Sequence, residues 1–145
     1  MILVSACLLG IDCKYNGSNN KNENVLKYLE GKEYIIACPE QLGGLTTPRN
    51  PSEIVKIGEN EINDYKLLSN EGKDVSESFI KGAKETLKIA KIFNCTEAIL
   101  KEGSPSCGSS FIYDGSFTGK KICGQGVTTD LLRKNNIKVI SENQV

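Results

Sequence analysis

The sequence predicts an α/β fold: a single layered domain over residues 1–145, with a mainly parallel, Rossmann-like sheet flanked by helices, plus a β-hairpin. Three observations carry the prediction. Short, wholly apolar runs stop at Gly or Pro, as strands covered on both faces do. Segments with helical spacing separate them. No low-complexity tract, linker or fixed-period repeat divides the chain. A chain of 145 residues suits one domain, which buries about 68–70% of its unfolded surface and needs no cross-links.

Ile2-Leu3-Val4-Ser5-Ala6-Cys7 is the first strand, stopped by Gly10, and a loop rich in Asn and Gly follows from Asp12 to Asn22. Val25, Leu26 and Leu29 place a helix over Asn24 to Leu29, with Gly31 as its stop. Tyr34-Ile35-Ile36-Ala37-Cys38 is the second strand, ended by Pro39. Gly43, Gly44, Pro48 and Pro51 make Gln41 to Ser52 irregular. Partial alternation over Glu53 to Ser69 around Gly58-Glu59-Asn60 predicts the hairpin. The most regular helix runs from Glu77 to Phe93. Ser76 is its expected cap, Val75 and Ile80 its staple, and Phe79, Ala83, Leu87 and Ala90 its apolar stripe. Ala98-Ile99-Leu100 is the third strand and leads into Lys101-Glu102-Gly103-Ser104-Pro105-Ser106-Cys107-Gly108. A Gly-studded stretch with Tyr113 and Phe117 then precedes a helix from about Thr128 to Asn135 and a last strand, Lys138 to Ser141.

Composition narrows the chemistry. The chain has six cysteines and no histidine, which excludes a Ser-His-Asp triad, a Cys-His pair and imidazole-based zinc sites. Cysteine at about 4% is below the ~8–10% of disulfide scaffolds. Eighteen basic residues balance eighteen acidic ones, which argues against nucleic acid and for a small-molecule partner. The apolar start, Met1 to Leu9, is too short to span a bilayer and lacks the pattern of a signal peptide, so the expected location is the cytoplasm, where thiols stay reduced.

Cys7 and Cys38 close the first two strands, and Cys107 lies in the loop leaving the third. The carboxyl ends of parallel strands share one edge, where ligands bind, so these three thiols are expected to meet. Buried core cysteine is the alternative for each, and for Cys95 it is the better reading. Cys13 and Cys123 are left open as ligand or accessory. Sulfur-only ligation selects zinc, copper(I) or an iron-sulfur cluster, and no C-x-x-C pair favours zinc. An iron-sulfur cluster held by three protein thiolates would leave one iron without a protein ligand. Glu40, two residues beyond Cys38 and stiffened by Pro39, is the candidate general base. Ser104 and Ser106 supply hydroxyls beside Cys107. Lys101, Arg49 and Lys14-Tyr15-Asn16-Gly17 are candidate substrate donors, and Gly124-Gln125-Gly126 is a candidate anion site at a helix start.

Ser5-Ala6-Cys7-Leu8-Leu9-Gly10, Lys14-Tyr15-Asn16-Gly17, Cys38-Pro39-Glu40, Gly43-Gly44-Leu45, Pro48-Arg49, Gly72-Lys73-Asp74-Val75, Leu100-Lys101 and Ser104-Pro105-Ser106-Cys107-Gly108, in that order, resemble the thiouracil desulfidase family in its stand-alone short form. The resemblance runs from residue 2 to about 142. It implies a [4Fe-4S] cluster with three Cys ligands, Cys7, Cys38 and Cys107, and one open iron. It implies non-redox release of hydrogen sulfide from a thiolated base or nucleoside such as thiouracil. It gives Glu40 the proton transfer and Ser104 the substrate or a proton path, with Ser106 as second choice. Gly103 departs from the family pattern, which has a larger, often charged side chain there. The alternatives are a non-catalytic carrier of sulfur or iron-sulfur clusters, and a small-molecule binding domain with a structural zinc.

Overall fold

The structure, a computed structural model, describes residues 1–57 and 65–145. The expected turn Gly58-Glu59-Asn60 lies outside the described residues. Four strands, β1 (Ile2–Ser5), β2 (Tyr34–Ala37), β5 (Glu97–Leu100) and β8 (Lys138–Ser141), form an all-parallel sheet in the order β2-β1-β5-β8. Leu3 pairs with Ile35 on one side and Ala98 on the other, and Ile99 pairs with Ile140. Two antiparallel hairpins, β3 (Ser52–Lys56) with β4 (Tyr65–Ser69) and β6 (Phe111–Tyr113) with β7 (Lys121–Cys123), complete the strands among the described residues. The first matches the expected hairpin. The second was not anticipated, because three-residue strands around glycines are too short to show alternation.

Successive side chains of a strand point to opposite faces, and the core divides accordingly. Leu3, Ala98 and Leu100 pack with Ala90 of α3 (Ser76–Ile92) and Leu132 of α4 (Val127–Lys134). Val4 and Ile99 pack on the other face with Val25 and Leu29 of α1 (Glu23–Leu29). Strands buried on both sides read as continuous apolar runs, which is why β1 and β5 were legible.

Local departures have identifiable causes. β1 stops at Ser5, and Ala6–Leu9 forms a 3-10 turn closed by Gly10, so Cys7 sits just past the strand rather than at its end. Pro39–Leu42 within the expected irregular stretch is a single helical turn, α2, because Pro fits its first position and the Leu42 N–H reaches the Cys38 carbonyl at 3.0 Å. Ser76 does not cap α3. Its hydroxyl accepts from the Leu67 N–H at 2.9 Å, and Asp74 Oδ1 accepts from the Ser76 N–H instead. Ile80 is exposed, so no staple with Val75 is buried there.

The turn α2 is pressed onto α3 through glycine. A Cβ on Gly82 would lie 1.9 Å from the Pro39 carbonyl oxygen, and one on Gly43 the same distance from that of Ser78. Gly82→Ala is therefore expected to push α2 away, destabilising the protein by about 1–3 kcal/mol, the scale of overpacking. Denaturant titration measures the loss, and stability unchanged within error would show that α2 is not clamped.

Candidate functional site

At the carboxyl edge of the sheet, where β1, β2 and β5 end, a cavity of about 640 Å³ opens. It reaches from the strand ends to the two hairpins. Its walls include Cys7, Cys38 and Cys107 together with Glu40 and Ser104. The strand order places it where the chain reverses direction across the sheet, the connection from β1 running to β2 on one side and the connection from β2 crossing to β5 on the other, which is the usual ligand crevice of an open α/β sheet.

Each thiol is held by its own element. Cys7 lies in the 3-10 turn, whose carbonyl accepts from the Asn20 N–H at 2.9 Å. Cys38 precedes α2. Cys107 is buried and receives a hydrogen bond from the Ser5 hydroxyl at 3.7 Å, while Ser5 accepts from the Lys101 N–H. Ser5, 102 residues distant in the chain, carried no sequence signal for this contact.

Cys13, left open by the sequence, also faces the cavity, because Gly10 turns the chain back toward Cys7. Its thiol hydrogen-bonds toward Cys38 and Cys7, which pushes Cys13 up and pulls both partners down, Cys38 to about 6. Burial pushes the Cys107 thiol up. Cys95 belongs to the core, as expected, and Cys123 is exposed on β7 outside the cavity lining. No three His, Cys, Asp or Glu side chains among the described residues are grouped to hold a single metal ion, so the thiols surround a space rather than a point.

Glu40 faces the cavity from α2 and is paired with Arg49, whose Nε donates to Oε1 at 3.1 Å. The Arg49 side chain is 7% exposed and also donates to the Cys13 and Thr46 carbonyls and to the Thr47 hydroxyl. Arg49 thus orients Glu40 and ties it to the Cys13 loop. Lys101, at the rim, is paired with Glu142 at 2.7 Å.

The two candidate serines separate. The Ser104 oxygen accepts from the N–H groups of Ser106 and Cys107, both at 3.1 Å, and its hydroxyl faces the cavity. Ser106 is 1% exposed, pairs with the Thr128 hydroxyl at 2.8 Å and is absent from the cavity wall. Its assignment as a catalytic hydroxyl is corrected: it joins the Cys107 loop to α4.

The anion site expected at Gly124-Gln125-Gly126 is also corrected. The N–H groups of Gly126, Val127, Thr128 and Thr129 donate to carbonyls of Gly108, Pro105 and Ser106, so the start of α4 is filled by the Cys107 loop. Gly103 has a simple explanation, a φ of +80° with a Cβ position 2.9 Å from the Phe111 ring.

Glu102 was singled out by no motif. Burial pushes its carboxyl up, yet the N–H groups of Ser110 and Ser109, the Ser109 hydroxyl and the Phe111 N–H outweigh burial and hold it at about 2. A carboxyl lowered on folding contributes its full stability above its unfolded pKa of about 4.3, and that stability is lost as pH falls toward 2. Glu102→Gln is expected to lower the melting temperature at neutral pH and to flatten its acid limb between about pH 4.3 and 2. Melting curves across that range check this, and parallel limbs for both proteins would contradict it.

Fold and pocket together define an α/β domain with a cavity of small-molecule size at the carboxyl edge of its sheet, walled by four thiols. The chain belongs to the 2-thiouracil desulfurase family, whose model matches residues 2–144. It is 51% identical over 147 residues to the uncharacterized protein YbbK of Bacillus subtilis (strain 168), covering 100% of this chain and 97% of that protein. Among solved structures it is similar to the [4Fe-4S]-dependent thiouracil desulfidase TudS (DUF523Vcz), with a TM-score of 0.87, 43% identity, and 99% of this chain and 91% of that one covered.

Proposed function

We propose that the protein is a [4Fe-4S]-dependent desulfidase that hydrolyses the C–S bond of a thiolated pyrimidine, base or nucleoside, to the oxo compound and hydrogen sulfide without net redox, and that it works in the cytoplasm. The observation that carries this reading is the convergence of Cys7, Cys38 and Cys107 from three strand ends on one cavity that also holds Glu40. Family membership and the similarity to TudS agree with it. The donor set fits such a cluster: the sulfurs of Cys7, Cys38 and Cys107, with Cys13 beside the first two and no histidine, arranged around a space large enough for a cluster and a small substrate. When bound, a cluster with three protein ligands supplies one soft, Lewis-acidic iron matched to a thiocarbonyl sulfur.

The chain's own residues do the proton chemistry. Glu40, oriented by Arg49, accepts a proton from the water whose oxygen forms the new C–O bond. That proton and the second one, lost from the same oxygen as the carbonyl forms, both leave on the departing sulfur, so water and thiocarbonyl give carbonyl and hydrogen sulfide in balance. Ser104 accepts two backbone N–H groups, which leaves its own O–H to donate to a ring heteroatom. The balanced charge of the chain and the lack, among the described residues, of a helix long and apolar enough to cross a membrane accord with a small-molecule partner.

Anaerobic cluster reconstitution followed by sulfide determination with 2- and 4-thiouracil tests the reading. Stoichiometric or greater sulfide release is expected. A fully loaded protein that releases none, but passes its cluster to an acceptor, would replace this reading with the carrier function.

A further inference from the structure

The connection from β5 to β6 carries both Ser104 and Cys107, and it is clamped from two sides. From one side the start of α4 takes the carbonyls of Pro105, Ser106 and Gly108. From the other, Glu102, 5% exposed, gathers the N–H groups. Its Oε1 accepts from Ser109 at 2.7 Å, Ser110 at 2.9 Å, Phe111 at 3.3 Å and Gly103 at 3.4 Å, and its Oε2 accepts from the Ser109 hydroxyl at 2.9 Å. Glu142 in turn accepts the Glu102 N–H at 2.8 Å.

Successive backbone N–H groups converging on one point form an anion-binding concavity. Here the chain supplies its own anion. Ser104 and Cys107 lie between Gly103 and Ser109, the two ends that the Glu102 carboxylate ties together, so this carboxylate closes the loop that carries the Cys107 sulfur. Buried N–H groups require partners, and among the contacts of Ser109, Ser110 and Phe111 the carboxylate is the shared one.

We infer that Glu102 is a positioning residue for Cys107, an internal anion that folds residues 103–111 into the shape that presents the thiol, and that removing its side chain leaves a binding site for a small carboxylate. The inference rests on the reading of Cys107 as a cluster ligand, and the experiment separates the two.

Cluster-loaded protein is challenged anaerobically with a chelator, and amide hydrogen exchange is followed at Ser109, Ser110 and Phe111, each with and without formate. Glu102→Ala is expected to lose its cluster about tenfold faster, the low end of the range for residues that support metal ligands. Formate should slow that loss and restore protection of the three amides. Leu29→Ala, which opens the core on the opposite face of the sheet, should lose stability without a faster chelation rate.

Chelation of Glu102→Ala at the unsubstituted rate overturns the inference, as does formate protecting Leu29→Ala equally. Cys107→Ser holding its cluster as firmly as the unsubstituted protein would overturn the ligand assignment. The exchange measurement, which needs no cluster, would still decide the anion site: restored protection supports it, and unchanged exchange removes it. Should Glu102→Ala not fold, the isosteric Glu102→Gln is read in the same assays. A faster chelation rate supports the inference and an unchanged one overturns it.

Discussion

Serine at Cys7, Cys38 or Cys107 is expected to yield a folded protein that no longer assembles a four-iron cluster and releases no sulfide. Each residue comes from a different strand end, so no neighbour in its own turn replaces it, and serine is a hard oxygen donor where soft sulfur is required. Lewis-acid assistance is worth several kcal/mol, and each 1.36 kcal/mol is a factor of ten in rate, so turnover should fall at least about a thousandfold. Cys7 and Cys38, both partly exposed, are the cleaner sites, because Cys107 is buried in the main core and its replacement also burdens folding. Iron and sulfide content with the visible absorption of the cluster measure the first effect. A full complement of iron in any of the three variants would remove that cysteine from the ligand set, and Cys13, beside Cys7 and Cys38, would be the sulfur to test next.

Glu40→Gln is expected to keep the cluster and lose the reaction. The amide has the same shape, and Arg49 retains its bonds to the Cys13 and Thr46 carbonyls and the Thr47 hydroxyl, so the wall of the cavity should stand. The carboxylate's capacity to accept a proton is what disappears. General acid-base assistance contributes about 10²–10⁴-fold, and turnover should fall within that range while cluster absorption is unchanged. Normal turnover in this variant would take Glu40 out of the mechanism. With no histidine in the chain, the next carboxylates at the cavity wall are Glu53, already bonded to the Gly115 and Phe117 N–H groups, and Glu102, enclosed by its own donors.

β1 and β5 are legible because burial on both faces leaves a continuous apolar run, and the long helix because burial on one stripe leaves a periodic one, whereas the edge strand β2 shows its apolar run although Tyr34 and Ile36 are exposed. The hairpin Phe111–Tyr113 with Lys121–Cys123 left no such trace. The choice between Ser104 and Ser106 illustrates a second limit. Both flank Pro105 and both precede Cys107, and nothing in Ser-Pro-Ser states which hydroxyl turns inward. Thr128, 22 residues on, decides it by pairing with Ser106. The glycines before α4 likewise match an anion site in sequence, and only the docking of the Cys107 loop shows that their donors are already used.

The sequence by itself determined the fold class, the strand ends that carry Cys7, Cys38 and Cys107, and the exclusion of imidazole chemistry. These follow from periodicity and composition, which are properties of a chain read in order. The tertiary structure decided which groups face the cavity: Cys13 turned back toward Cys7 and Cys38, Arg49 on Glu40, Ser5 on Cys107, and Glu102 enclosed by the loop it supports. Those contacts reach as far as 102 positions along the chain. The orientation of a loop side chain is set by donors and acceptors elsewhere in the fold, and no local pattern encodes them.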